Sequence, residues 1–576
     1  MKVLIRSLLF LSIILSFNCK DTNHQTSDQT KEVAQAKDKK PNFIFFIADD
    51  MYPWMFNNLL KNDTVKKKNL TPNIDRLAKE GVWLDNMKVV SPVCTPSRYN
   101  CLTANYASRA TNESFLNFTK KNDGQTVIQW NAFIVPGKDK TMGTYFKDLG
   151  YTTGFVGKNH VVESKKQVGE WGVKFDLHAD PKDPKVKAEL ESRYKDLQKD
   201  IKKAGFDYAE KLYHNNPNWL GNRALAYQNM DWIAEGGVEF IRENKDKPFM
   251  LYFATTLPHA PLDPEHSWQA DRRITARGIL DKAPEVLPQY KGELSDEQKE
   301  LIKKDPGLEP SIRNIESIKR RIKAAGLEGE NKENLLWLDD ALGALFKELE
   351  AQGVLDNTII IFFNDHGQNT KGTLYEGGVN SQAFVWKKGG FKAGSVLDVP
   401  VSNVDFLPTM LELAGDTVKH QFDGYSFKPA LEGKKYKGRT SMYHELGYAR
   451  AITKDKYKYY AVRYPKWAMN MSIEQRRDTL EKYSKFRESF GEHAISTDPT
   501  APFGQLEMVP GGGGAEHAAY KTMPHFFDPD QFYDLEKDPH EQNNLINDPA
   551  YSEKIKELKN ELKTKYLDKL PGKFDL

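Results

Sequence analysis

The residues best suited to chemistry sit at the ends of apolar runs. Cys94 is one of only three cysteines in 576 residues and opens the run Cys94-Thr95-Pro96-Ser97-Arg98. A cysteine followed two positions later by Pro and four positions later by Arg is an uncommon combination. Taken alone, a single cysteine is more often a buried or disulfide-bonded residue than a reactive one. A second feature is Asp49-Asp50, which ends the run Asn42-Phe43-Ile44-Phe45-Phe46-Ile47-Ala48. So apolar a stretch reads as a strand buried on both faces, and open α/β sheets place ligand sites at the C-terminal ends of such strands. Adjacent carboxylates there repel each other unless a cation lies between them.

The same pattern recurs along the chain. Tyr151 to Val156 reads as a strand ending in Gly157-Lys158-Asn159-His160, and Pro248 to Ala254 as one leading to Leu257-Pro258-His259. Thr358 to Phe363 delivers Asn364-Asp365-His366-Gly367, and a glycine-bearing turn then carries Lys371 and Glu376-Gly377-Gly378. Between these strands, 72–80 and 333–352 read as helices stopped by Gly81 and Gly353. Val82 to Val90 reads as a strand leading into the cysteine run. If the chain after Cys94 is helical, Cys94 and Cys101 stand about 10 Å apart along the axis, too far for a disulfide. Strands alternating with helices predict an α/β fold, a large mixed and mostly parallel sheet flanked by helices. From residue 438 the pattern turns strand-rich, which predicts a smaller α+β subdomain with an antiparallel sheet and a final helix.

The Cys94-Thr95-Pro96-Ser97-Arg98 run resembles the maturation motif of type I sulfatases, members of the alkaline-phosphatase-like superfamily, and the likeness extends in order from residue 41 onward. The resemblance implies oxidation of Cys94 to formylglycine by a dedicated maturation enzyme, and a hydrated aldehyde that attacks sulfur. It implies Arg98 as the residue that orients this nucleophile, and Lys158 and Lys371 as holders of sulfate oxygens. His259 would protonate the leaving alcohol and His160 would regenerate the aldehyde. Asp49, Asp50, Asp365 and His366 match the positions that bind a divalent cation, with Ca²⁺ implied. Two positions depart from the family pattern. His366 replaces the usual amide, which weakens the argument for an oxygen-loving Ca²⁺. Asn380 stands where many members have Arg, which implies different sulfate or sugar contacts.

A formal net charge of +3 argues against a nucleic-acid binder driven by bulk electrostatics. Lys2 and Arg6 precede a short apolar run ending at Ser16-Phe17-Asn18-Cys19, which reads as an export leader, too short to span a bilayer. The residues ahead of Cys19 resemble a bacterial lipobox, and Lys20-Asp21 a surface-export signal. Both imply a lipid-anchored protein of the periplasm or outer-membrane surface of a Gram-negative cell. The domain reading is therefore 1–18 signal peptide, 19–40 flexible tether, 41–437 catalytic domain and 438–576 C-terminal subdomain. Residues 161–230 read as a polar insertion and 466–525 as a long loop containing Gly511 to Gly514.

The expected activity is hydrolysis of sulfate monoesters on a sulfated carbohydrate. Trp54, Trp268, Arg272, Arg273, His444, Tyr448 and Arg450 are candidate sugar contacts, each with an equal claim to a packing role. Two alternatives stay open: a phosphonate or phosphate ester hydrolase of the same superfamily, and a catalytically degenerate glycan-binding lipoprotein.

Overall fold

The computed structural model describes residues 40–576 except 61–67, 165–175, 260–266, 328, 330, 489–497, 501–518 and 520–521. The expected leader, the lipid-bearing Cys19 and Gly511 to Gly514 lie outside the described residues. Residues 1–40 and 41–576 are separate units, and all that follows concerns the second.

In chain order the strands begin with β1 (Asn42–Asp49), β2 (Val82–Leu84), β3 (Met87–Lys88), β4 (Thr152–Lys158), β5 (Tyr208–Tyr213) and β6 (Phe249–Pro258). A small hairpin, β7 (Ile274–Thr275) and β8 (Gly278–Ile279), precedes β9 (Thr358–Asn364), β10 (Ala383–Trp386), β11 (Ser395–Leu397) and β12 (Val401–Ser402). The large sheet has the order β11-β2-β10-β9-β1-β6-β4-β5. Its run from β9 to β5 is wholly parallel, while β10 is antiparallel to both neighbours.

Residues that favour burial on both faces build the centre. Every residue of β1, β6 and β9 is buried. Phe46 stacks between Phe253 and Phe362 of the flanking strands, with ring centroids 5.1 and 5.4 Å away. Such cross-strand aromatic pairs hold the parallel register, and that register puts the C-terminal ends of β9, β1, β6 and β4 along one edge. Behind the sheet, helix α1 (Met230–Asn244) packs closely against helix α2 (Lys332–Ala351). At Gly237 on α1 a Cβ would lie only 2.6 Å from Leu345 and 2.8 Å from Phe253, so glycine is what permits the approach.

Three sequence expectations are corrected. Residues 466–525 are not one long loop, because Lys466–Met469 and Ile473–Glu488 are helical. Val82 to Val90 is two short strands, because Asp85-Asn86 forms a turn between β2 and β3. Residues 161–230 are more than an insertion. They supply β5, the edge strand of the main sheet; the amphipathic pattern of 185–203 does form a helix, Pro184–Lys203, whose apolar face buries Val186, Leu190, Tyr194, Leu197 and Ile201. An edge strand is half solvated, so Glu210 and Lys211 interrupt the apolar pattern that marks central strands.

The C-terminal part forms a second, antiparallel sheet of β13 (Met442–Leu446), β14 (Ala449–Lys454), β15 (Tyr457–Val462) and β16 (Asp530–Asp534). One face, with Tyr443, Ile452, Tyr459 and Phe532, packs on Leu558, Leu562 and Tyr566. The other face sends Ala451, Tyr460 and Tyr533 into the main core. On that inner face Lys458 is fully buried, with Nζ 2.8 Å from both Glu376 and Glu541 and donating to the Leu374 carbonyl at 3.0 Å. Lys88 also pairs with Glu376. Burial would raise the Glu376 carboxyl, but Lys458 and Lys88 hold it well below the usual range. Lys458→Met leaves two buried carboxylates short of a partner and should destabilise the fold by about 3–5 kcal/mol, measured by denaturant unfolding.

Candidate active site

The strand ends converge as the parallel sheet requires. Asp49 ends β1 and Asp50 follows it, Lys158 ends β4, His259 lies just past β6, and Asp365 and His366 just past β9. Helix α3 is the range Cys94–Thr103, wholly buried, and begins at Cys94 itself. Its first backbone N–H groups favour an anion there. Both Cys94 and Cys101 are free and buried.

Within the cluster the charges pair closely. Lys158 Nζ lies 2.6 Å from Asp49, whose other oxygen is 3.3 Å from Arg98 Nη2. Arg98 Nη2 is also 3.5 Å from Asp365. Lys371 Nζ is 2.6 Å from Asp50, and His259 Nε2 3.4 Å from the same carboxylate. Burial would raise Asp49, but Lys158, His259 and Arg98 hold it well below the usual carboxylate range. Asp50 is likewise held low against burial by Lys371 and the two histidines. Asp365 goes the other way: burial, reinforced by the charge of Asp49, pushes it well above the usual range despite Arg98. Burial pushes the Cys94 thiol well up in spite of Lys158 and Lys371, so the unmodified sulfur is a poor nucleophile here.

One set of donors suits a cation. Atoms of Asp50, Asp365, His366 and Cys94 all lie within 4.8 Å of one another. His366 Nδ1 faces the Gly367 carbonyl at 3.0 Å and must donate to it, so Nε2 presents its lone pair to Asp50 at 3.2 Å and Asp365 at 3.6 Å. Burial and Lys371 push this imidazole down to about 4, which keeps it neutral. Carboxylates and a neutral ring nitrogen turned toward one another fit a divalent cation. Asp49 stands outside this set, with its oxygens turned to Lys158 and Arg98.

Backbone geometry is unusual at two of these residues. Asp50 and His160 occupy the left-handed region, with φ of 70° and 53°, conformations that concentrate at functional sites. Burial, Lys158 and Arg98 hold His160 well below its ordinary value, and its buried Nδ1 has no hydrogen-bond partner among the described residues. Burial also lowers His259 despite Asp50.

Several supporting residues carried no signal of this role in the sequence. Asn364 accepts from the Met51 N–H at 2.9 Å and donates to the Met51 and His366 carbonyls, tying the ends of β1 and β9 together. Asn403 accepts from Val90 N–H and donates to Ser97, which itself donates to the Asp365 carbonyl. Gln228 donates to the His259 carbonyl at 2.8 Å. Gly367 fits because a Cβ there would lie 2.4 Å from the Gly377 carbonyl oxygen. Of these, Asn364 and Gly367, which flank Asp365-His366, are marked by their position.

The expected sugar contacts require correction. Arg272 is fully buried, donates to the Trp268 and Ala270 carbonyls and to Asn314, and pairs with Asp231 at 3.2 Å. Arg450 is buried on the carbonyls of Gly447, Ala449 and Thr126. His444 is buried between the Val89 carbonyl and Thr453, and the Tyr448 hydroxyl donates to Asn122. Arg273 is clamped between Asp271 and Asp305, and Trp268 is only 8% exposed. All six are consumed by internal bonds or packing, which leaves Trp54 exposed. Asn380 is exposed at the end of a short helix, Glu376–Val379.

The family model described as Sulfatase matches residues 41–416. The chain belongs to the sulfatase family. It is a hydrolase of sulfate esters, and its family generally uses a metal ion and formylglycine. It is 24% identical over 552 residues to an ulvan-active sulfatase of Formosa agariphila, covering 95% of this chain and 84% of that one. A solved structure bound to D-glucosamine-2-N,6-O-disulfate shares the fold at a TM-score of 0.54 and 20% identity, covering 93% of this chain and all of that one. A phosphonate monoester hydrolase of Agrobacterium radiobacter also shares it, at a TM-score of 0.51 and 14% identity, covering 92% and 96%. The fold alone therefore does not separate sulfate from phosphonate chemistry.

Arg272→Met should behave as a structural lesion. Leaving Asp231 buried without its partner should cost about 3–5 kcal/mol of stability, read from denaturant unfolding. KM for a sulfated substrate should stay within about twofold.

Proposed function

We propose that this sulfatase removes sulfate from a sulfated carbohydrate and that residue 94 carries the nucleophile. The observation that supports this most is the position of the Cys94 side chain. It is buried at the start of α3, with its sulfur 3.5 Å from His366 Nε2 and grouped with Asp50 and Asp365. A buried thiol with a raised pKa gains a role there if it is oxidised to formylglycine, whose hydrated form supplies a nucleophilic hydroxyl. Asp50, Asp365 and His366 would hold a divalent cation, which would polarise the sulfate and acidify the attacking hydroxyl. The two carboxylates suit Ca²⁺, while the His366 nitrogen makes that preference weaker than an all-oxygen set would.

The remaining roles belong to the chain's own groups. Arg98, anchored by Asp49 and Asp365, orients the residue 94 side chain. Lys158 and Lys371, now paired with Asp49 and Asp50, neutralise sulfate oxygens as they arrive. His259 delivers a proton to the leaving oxygen. His160, neutral and with Nδ1 unpaired, accepts one within the site. A degenerate glycan-binding protein is disfavoured because every one of these positions is filled by a competent residue. The leader and Cys19 support export and lipid anchoring; among the described residues no helix is long and apolar enough to cross a membrane.

Protein produced with a formylglycine-generating enzyme should show the aldehyde on the Cys94 peptide by mass spectrometry, and Cys94→Ala should lose activity by about 10³-fold or more. Full activity with an unmodified thiol would overturn the nucleophile. Dialysis against a chelator should abolish turnover and Ca²⁺ should restore it. A large preference in kcat/KM for an aryl phosphonate over an aryl sulfate would overturn the substrate class.

A further inference from the structure

Two residues beyond Asp50 the chain turns outward and exposes large aromatic side chains beside the site. Tyr52 is 38% and Trp54 37% exposed, among the few large aromatic side chains left exposed in the described residues. Their ring planes lie within 20° of parallel, with centroids 6.2 Å apart. At a stacking separation of about 3.5 Å the lateral offset is about 5 Å, so the rings overlap only at their edges and present a stepped shelf. The shelf is held in place. Asn364 binds both backbone groups of Met51, and Asn69 donates to the Trp54 carbonyl at 3.0 Å. Lys332 Nζ sits 5.6 Å from the centre of the Trp54 ring and is itself fixed by Asn69 at 2.7 Å.

Nothing in the hydrolysis assigned above uses these rings, and each leaves more than a third of its surface in water two to four residues beyond Asp50. We propose that Tyr52 and Trp54 form a stacking subsite for a pyranose ring next to the sulfated sugar, a reading that rests on the sulfated-carbohydrate assignment. The apolar C–H face of a sugar matches an aromatic face, while its hydroxyl and sulfate groups project sideways. Tyr52 lies within a two-residue reach of Asp50, so one glycan can occupy the catalytic pocket and the shelf together. The shelf therefore selects oligosaccharides over single sulfated sugars and small aryl sulfates.

Tyr52→Ala and Trp54→Ala should be assayed on a small aryl sulfate and on ulvan and heparin oligosaccharides of four or more sugars. The ratio of kcat/KM for oligosaccharide over aryl sulfate should fall about 3–10-fold through KM, and Tyr52→Phe and Trp54→Phe should restore it. Titration of the same oligosaccharides into Cys94→Ala should show tight binding that weakens when the Trp54 ring is also removed. An unchanged ratio, an equal loss on both substrates, or a wild-type enzyme that cleaves aryl sulfate but binds no oligosaccharide would overturn the subsite. A wild-type enzyme that hydrolyses neither class would instead overturn the sulfated-carbohydrate assignment.

Discussion

Mutual neutralisation of buried charge is the constraint on which this structure depends. Asp49, Asp50 and Asp365 are withdrawn from water at the ends of adjacent strands, together with Arg98, Lys158 and Lys371. Isolated, each ion would cost several kcal/mol to bury, and only close pairing offsets that cost. Burial and pairing explain the divergent acidities: Asp49 and Asp50 face ammonium groups and stay ionised, while Asp365 has no ammonium partner and its burial, with the charges of Asp49 and Asp50, outweighs Arg98. In the proposed reaction a sulfate ester and a divalent cation would meet charges already arranged to receive them, so little reorganisation would accompany binding.

Such a cluster persists only on a stiff frame. The parallel core supplies it through aromatic contacts across β6, β1 and β9, and Asn364 and Asn403 tie the strand ends to the loop before α3. The C-terminal sheet belongs to the same frame. Through Lys458 it grips Glu376, five residues from Lys371, while Tyr375 stacks on Tyr460 with centroids 5.1 Å apart. The smaller sheet therefore contributes to the geometry of the site without adding a residue to it.

The residues gathered at the candidate site are legible because they interrupt strong local patterns: an Asp pair after a run of buried aromatics, a lysine or histidine after a strand, a cysteine before Pro and Arg. The sugar contacts were not. Arg272 and Arg450 look like surface binding residues in one dimension, and only packing shows that nearby carbonyls together with the distant Asp231, Asn314 and Thr126 consume their donors. The same limit hid β5, whose edge position permits charged residues that a buried strand would exclude.

The sequence by itself determined the family, the central strands and most helices, and the candidate site residues, because apolar periodicity and its interruptions are local properties of the chain. Tertiary structure decided which donors face one another, that Asp49 turns to Lys158 and Arg98, and that two aromatic rings beyond Asp50 stay in solvent. Those outcomes depend on burial and on partners often more than a hundred residues away, and the cost of desolvating a polar group is set by the packed neighbourhood and not by the residue that carries it.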